Sequence, residues 1–172
     1  MRNLFTIGCV AFLMSITGYV AQAQQTDPVT VNIDLTAEVI SIDLGADPTV
    51  NFVYTEAADY AEEQVVTKPG HLIVVSNEPY NIAVSAQGPF TSTSNDPVDL
   101  GVVTVAVDEG TPNGGELTPV VLSATDAVLV AEADATTTAT YDVNYSIPDA
   151  STLLDVAREI YTTTVVYTAT QL

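Results

Sequence analysis

The feature that most constrains the fold is a two-residue alternation of apolar and polar side chains that recurs along the chain. In residues 29–36, every second side chain from Val29 to Leu35 is apolar, and the residues between them are polar. This period predicts a β-strand with one buried face. Further runs rich in Val, Thr, Ile and Tyr predict strands at residues 40–44, 50–54, 65–67, 72–76, 80–86, 102–107, 117–123, 127–131, 138–145 and 160–170.

Turn-forming residues separate these runs at intervals of about 8–12 residues, which favours an antiparallel sandwich over βαβ units. The expected fold is therefore all-β: an immunoglobulin-like antiparallel β-sandwich formed by a single domain over residues 24–172. One short helix is expected at residues 151–159, before the last strand, because the apolar residues there have helical spacing. Residues 56–63 are expected to form either a helical turn or an acidic loop.

Residues 1–23 have the organisation of a cleaved secretory signal peptide. Arg2 precedes an apolar segment, and Ala21-Gln22-Ala23 matches an A-x-A cleavage pattern. An uncleaved anchor needs about 20 continuous apolar residues, whereas polar residues interrupt this segment. A lipid anchor is disfavoured because Cys9 lies at the start of the segment. We expect an exported product, secreted or at the cell surface, with no membrane span after processing.

The charge of the processed chain excludes several classes of partner. It would keep Lys68 and Arg158 as its only full cations against all 22 acidic residues. Nucleic acids and anionic membranes are bound through clusters of Lys and Arg, so neither is an expected partner. Processing would also remove Cys9, the only cysteine. The fold is thus expected to hold together by strand packing, without disulfides.

The sequence contains no arrangement typical of an enzyme, and we expect no catalytic, cofactor-binding or metal-binding residue. A Ser-His-Asp site would have to use His71, the only histidine, which follows Lys68-Pro69-Gly70 without a nucleophile elbow. A surface or strand-end position is expected for it. Zinc would need more histidine or cysteine ligands. A glycosidase cleft needs paired carboxylates and usually aromatic platforms, but the chain lacks Trp.

In an extracellular protein, calcium binding is a better explanation for these carboxylates than catalysis. Three acidic groups are candidates, although none matches the EF-hand loop and solvated surface charge explains them as well: Glu56, Asp59, Glu62 and Glu63; Asp96 and Asp99; Asp108, Glu109 and Glu116. Asn144-Tyr145-Ser146 matches a glycosylation triplet, but it falls within a predicted strand.

Both ends of the predicted domain are strand-like. The alternating segment 29–36 begins it, and the Tyr- and Thr-rich segment 161–170 closes it. Two interpretations of the first segment remain open. It is either an edge strand of its own domain or an extended segment that completes the sheet of a neighbouring subunit by strand addition.

The order of these segments resembles small secreted bacterial β-sandwich proteins of the pilin-like, spore-coat-U-like and WxL-like kinds. The resemblance rests on the leader, the early alternating strand, the central HLIVVSNEPYNIAVSAQG and the closing YTTTVVYTAT. It implies an immunoglobulin-like sandwich used in surface structure or adhesion, without catalysis. The chain departs from these groups in lacking disulfide cysteines and a W-x-L sequence, and no functional residue transfers.

The leading hypothesis is an exported, non-enzymatic surface-structural or adhesive subunit that self-assembles by strand addition or binds other surface proteins. The alternative is an extracellular module that binds carbohydrate or calcium. A hydrolase that uses His71 is the third possibility.

Overall fold

The computed structural model describes residues 30–94, 97–110 and 113–172. The chain divides into two units, Met1–Leu35 and Thr36–Leu172. In the first unit, residues 30–35 contain no strand, and Val31, Ile33 and Leu35 have exposed side chains. The expected signal peptide, 1–23, lies outside the described residues.

The described residues of the second unit form nine β-strands: β1 (Ile40–Leu44), β2 (Gln64–Ser76), β3 (Tyr80–Ala86), β4 (Thr104–Val107), β5 (Glu116–Leu117), β6 (Val120–Val121), β7 (Ala127–Ala133), β8 (Thr136–Ile147) and β9 (Val165–Gln171). They form a five-stranded sheet in the order β1-β2-β8-β4-β6 and a four-stranded sheet in the order β5-β7-β3-β9. All pairings are antiparallel. The expected all-β antiparallel sandwich is confirmed.

The core lies between the two sheets and follows the alternation of the sequence. In β8, every second residue from Ala139 to Ile147 is buried, and in β3 the same is true from Tyr80 to Val84. Each large apolar side chain that is fully buried contributes about 1.5–3 kcal/mol. The largest fully buried apolar side chains come from both sheets, together with Leu122 directly after β6: Tyr80, Tyr141, Leu72, Ile82, Leu122, Leu129, Val74, Val84, Val105, Val130 and Val143.

A bulge in β2 changes which residues face the core. The pairing register with β8 shifts between Lys68 and Leu72, and Gly70 has a φ of 58°. The Gly70 amide donates to the Asp142 carboxylate at 2.6 Å. Glycine adopts positive φ at little cost, so the strand bends here without breaking. As a result, the consecutive residues His71 and Leu72 are both buried.

Three segments differ from expectation. Residues 50–54 alternate between half-buried and exposed, yet they form no strand, since side-chain packing without backbone pairing does not make one. The segment 30–36 likewise carries no strand. The helix expected at 151–159 is a three-residue 3₁₀ turn, Ser151–Leu153. Leu154 and Ile160 are exposed, so no continuous apolar stripe packs a longer helix against the sandwich.

A second 3₁₀ turn, Ala57–Tyr60, occupies the segment that was expected to be a helical turn or an acidic loop. A third, Leu100–Val102, precedes β4. None of the helices within the described residues is long and apolar enough to cross a membrane.

Candidate functional site

The outer edge of β9 is the clearest candidate for a recognition surface. β9 pairs with β3 through seven consecutive residues and no bulge. Within the described part of the chain, no backbone hydrogen bond reaches Val165–Gln171 from the other side. Natural edge strands use charges, prolines and bulges to prevent pairing with other chains. The sequence of β9, VVYTATQ, has no charge or proline.

The other three edges of the two sheets are less open to pairing. β1 has five residues, one of which is Asp43. β5 and β6 have two residues each, and Pro119 lies between them. Short length, charge and proline all oppose strand addition. Among the four edges, β9 therefore presents the longest uninterrupted hydrogen-bonding surface.

Polar side chains connect β9 to the opposite sheet at two points. At its end, the Gln171 amide donates to the Val39 carbonyl at 3.0 Å and to Asn77 Oδ1 at 2.8 Å. Near its beginning, the Tyr167 hydroxyl hydrogen-bonds to the hydroxyl of Tyr145 in β8. The backbone pairing with β3 is thus supplemented by bonds across the sandwich.

Tyr145 also bonds to the only histidine of the chain. Its hydroxyl lies 2.9 Å from His71 Nε2. The His71 ring meets the rings of Tyr145 and Tyr167 edge-on, with centroids 5.6 and 6.0 Å apart. We call these three residues the tyrosine–histidine cluster. It joins β2, β8 and β9, and so links the candidate edge strand to two strands of the other sheet.

Burial sets the protonation behaviour of the cluster. Desolvation lowers the pKa of His71, and the nearby Lys68 ammonium lowers it further. Desolvation raises the pKa of Tyr145 to about 12. The pKa of Tyr167 is raised by the same cause and by its neighbour Tyr145. At neutral pH, therefore, all three side chains are uncharged.

The prediction that His71 occupies a surface or strand-end position is wrong. His71 is only 3% exposed and lies in the middle of β2. The sequence shows the cause, Pro69-Gly70, but these residues signal a turn between two strands as readily as a bulge within one. Tyr145 and Tyr167 fall at inward-facing positions of alternating strands, which is the signal that sequence reasoning missed.

A second pair of tyrosines bridges the sandwich between two interior strands. The hydroxyls of Tyr80 in β3 and Tyr141 in β8 lie 2.7 Å apart, and both residues are fully buried. The side-chain amide of Asn113 donates to the Tyr80 hydroxyl at 3.3 Å and to the Asp134 carbonyl at 2.7 Å. Burial, followed by the bond to Tyr80, raises the pKa of Tyr141.

Several acidic residues satisfy backbone amides at turns. Asp59 accepts from the amides of Thr55 and Glu56 at 2.7 and 2.8 Å, and these bonds lower its pKa. Asp99 accepts from Gly101, and Asp108 accepts from Gly110. Part of the acidity therefore shapes loops, since a carboxylate is a strong acceptor for unpaired amides.

The described members of the candidate calcium clusters form no metal site. Among the described residues, no group of three or more His, Cys, Asp or Glu side chains is placed to hold a metal ion. Asp96 lies outside the described residues. In the glycosylation triplet, Asn144 is half-buried in β8, and its side-chain oxygen accepts from the Thr67 hydroxyl at 2.6 Å.

One open depression, with a volume of about 590 Å³, lies beside β6 and the turn Ser151–Leu153. Proline, valine and threonine line much of it, together with Asp99 and Asp149. No aromatic side chain is among its described lining residues. It therefore lacks the stacking platforms that sugar recognition usually uses.

The chain was also compared with known proteins. No protein-family model matches it, and no curated protein does.

Proposed function

We propose that the chain is an exported, non-enzymatic subunit of a surface structure or adhesin, pilin-like in its mode of assembly. Its partner is a second copy of the same chain. The segment 29–36 of one copy adds as a strand to the outer edge of β9 in another. The observation that carries the proposal is the seven-residue edge of β9, which has no charge or proline and, among the described residues, no backbone partner on its outer side.

The chemistry of segment 29–36 supports its role as the added strand. Val31, Ile33 and Leu35 are 79%, 79% and 83% exposed, and they alternate with polar residues. A strand with this period buries its apolar face when it joins a sheet edge over a sandwich core. Burying these side chains contributes roughly 1.5–3 kcal/mol each. Pairing with the β9 backbone adds hydrogen bonds along the strand.

The receiving edge also suits an apolar strand. Val165, Tyr167 and Ala169 of β9 are only half-buried, so an added strand can extend the core next to them. The absence of charge in β9 matters for a chain with a net charge of −19, because like charges directly opposite each other in a sheet are destabilising.

Deletion of residues 24–36 tests the proposal directly. We expect the shortened protein to fold, with an unchanged far-UV circular dichroism spectrum per residue. We also expect it to remain monomeric in sedimentation velocity at concentrations at which the processed full-length protein forms oligomers. If the shortened protein unfolds, the segment is an intrinsic strand. If both proteins stay monomeric, the assembly role fails.

Two pairs of point variants make the test specific. Ile33→Asp places a charge on the apolar face of the segment, and Asn32→Asp places the same charge on the polar face. Only the first should abolish oligomers. On the receiving side, Thr168→Lys adds a charge to the edge strand, whereas Thr140→Lys adds it to the exposed face of the central strand β8. Only the edge variant should block assembly.

A further inference from the structure

The tyrosine–histidine cluster joins β9 to the opposite sheet. It includes His71, a side chain of the type that titrates near neutral pH. His71 Nε2 bonds to the Tyr145 hydroxyl, which in turn bonds to the Tyr167 hydroxyl. Histidine is the only side chain whose ordinary pKa lies between about 5 and 8. The chain has a single histidine, so this chemistry is confined to the cluster.

The charged groups near His71 do little to stabilise a protonated ring. Lys68 lies on the same strand, and its ammonium is paired with Asp47 at 2.7 Å, so it opposes a second positive charge nearby. Asp47 itself is largely exposed, and its attraction is the smallest contribution to the pKa of His71. Asp142, across the bulge, accepts from the Gly70 amide. The polar group bonded to Nε2 is the neutral Tyr145 hydroxyl.

A proton added to His71 therefore creates a buried charge that its surroundings disfavour overall. Such a charge is unfavourable unless the ring gains water. Water can reach the ring only if one of the elements that cover it moves. β2 and β8 pair with each other through the middle of their sheet, whereas β9 is paired on one side and its side chains are half-buried. Edge elements of this kind open at lower free energy than central strands.

We propose that His71, Tyr145 and Tyr167 form an acid-sensitive latch, which holds β9 to the opposite sheet at neutral pH and releases it in mildly acidic conditions. In the neutral state, the hydroxyl chain and the two edge-on ring contacts fix Tyr167. In the protonated state, His71 becomes hydrated as Tyr167 and the adjoining part of β9 move outward. The backbone pairing of β9 with β3 weakens with them.

The latch has a consequence for assembly, which rests on the proposed role of β9 as the receiving edge. A released β9 no longer presents an ordered row of backbone groups to an added strand. Assembly would then proceed at neutral pH and be suppressed in acid. The latch itself is a property of the isolated monomer, and it can be tested without any oligomer.

Amide hydrogen exchange on monomeric protein, detected by mass spectrometry, tests the latch. We expect the protection factor of peptides covering β9, corrected for intrinsic exchange, to fall between about pH 7.5 and about pH 5 by a few-fold to about 30-fold. Peptides from β8 should change much less. In His71→Gln, which keeps a polar atom near Nε2 but does not titrate, the β9 protection should be independent of pH in this range.

A second measurement needs no variant. In untagged wild-type protein, the single histidine gives one set of imidazole resonances, and its titration can be followed by NMR alongside the β9 amides. The latch requires His71 to titrate below about 6.5 and the β9 amides to change with the same midpoint. The proposal is overturned if His71 titrates while β9 keeps its protection, or if every strand loses protection together.

Failure of the latch and failure of the proposed function give different results. If the exchange protection of β9 in the wild-type protein did not depend on pH but oligomers formed normally, only the latch would be refuted. If the protein never assembled but β9 opened in acid, the latch would stand and the assembly role would be refuted.

Discussion

The two tyrosine pairs that bridge the sandwich use the same contact in different settings. Tyr80 and Tyr141 join two interior strands, β3 and β8, and are fully buried. Tyr145 and Tyr167 join β8 to the edge strand β9, and their hydroxyls connect to His71. The strands of the first pair are flanked on both sides, β3 by β7 and β9 and β8 by β2 and β4, so this pair stabilises the core. The second lies where a strand can move and where a histidine can change charge.

The largest effect is expected from removing a fully buried ring between the two sheets. Tyr141→Ala should lower the free energy of unfolding by about 3–5 kcal/mol, because it leaves a cavity between the sheets. Urea denaturation measures this. Tyr161→Ala is a suitable control, since Tyr161 is half-buried outside the strands and its hydroxyl donates to the Ala157 carbonyl. A similar loss in both variants would contradict a special role for the first pair.

Removing single hydroxyls should separate the two pairs. Tyr141→Phe removes the 2.7 Å bond to the buried Tyr80 hydroxyl, which keeps only the longer bond from the Asn113 amide at 3.3 Å, and should cost about 1–3 kcal/mol. Tyr167→Phe should cost less, about 0.5–1.5 kcal/mol, because the Tyr145 hydroxyl keeps His71 as a partner at 2.9 Å. Both variants keep the ring and differ only in position. Equal losses in chemical denaturation would show that the two bridges are equivalent.

Between about pH 7.5 and pH 5, the pH dependence of stability should come from His71, which is bonded to the second pair. The pKa of His71 is lowered on folding, so the unfolded chain binds a proton more readily. Stability is then complete above the ordinary histidine pKa of about 6.5 and decreases as the pH falls through it toward the folded value. Thermal melts between about pH 7.5 and pH 5 should show this decrease, and His71→Gln should remove it. A decrease that persists in the variant would point to other groups.

The smallest effect concerns acids outside both pairs. The pKa of Asp59 is lowered by the amides of Glu56 and Thr55, so its contribution is present above the ordinary aspartate range and is lost as the pH falls through the folded value. Asp59→Asn should slightly lower the melting temperature at neutral pH and have no effect in strong acid. Glu62→Gln is the matched control. If the stabilising contribution of Asp59 already decreased near pH 6, the pH dependence in that range could not be assigned to His71 alone.

The fold was largely accessible from the sequence because alternation reports which side of a strand is buried. It located β3 and most of β8, where every second residue is indeed in the core. It divided β2 into two strands at Lys68-Pro69-Gly70, whereas the structure has one strand of 13 residues with a bulge. It also placed a strand at 50–54, where the side chains pack but the backbone finds no partner.

The tyrosine–histidine cluster could not be derived in the same way. Two consecutive inward-facing residues, His71 and Leu72, violate the alternation on which the strand assignment depends. The meeting of Tyr145 with Tyr167 depends on how one sheet lies over the other, which no local pattern records. The sequence shows that β9 has no charge or proline, but its position at an edge follows only from the strand order.

The pairing of β3 with β9 also affects how the protein reaches its native state. It joins residues far apart in the sequence, from Ala86 with Val165 to Tyr80 with Gln171. Closing so long a loop is slow, and sandwiches dominated by such distant pairings fold in milliseconds to seconds rather than microseconds. The second sheet cannot be completed until residue 171 has been synthesised. A nascent chain therefore cannot complete the sandwich before β9 has been made.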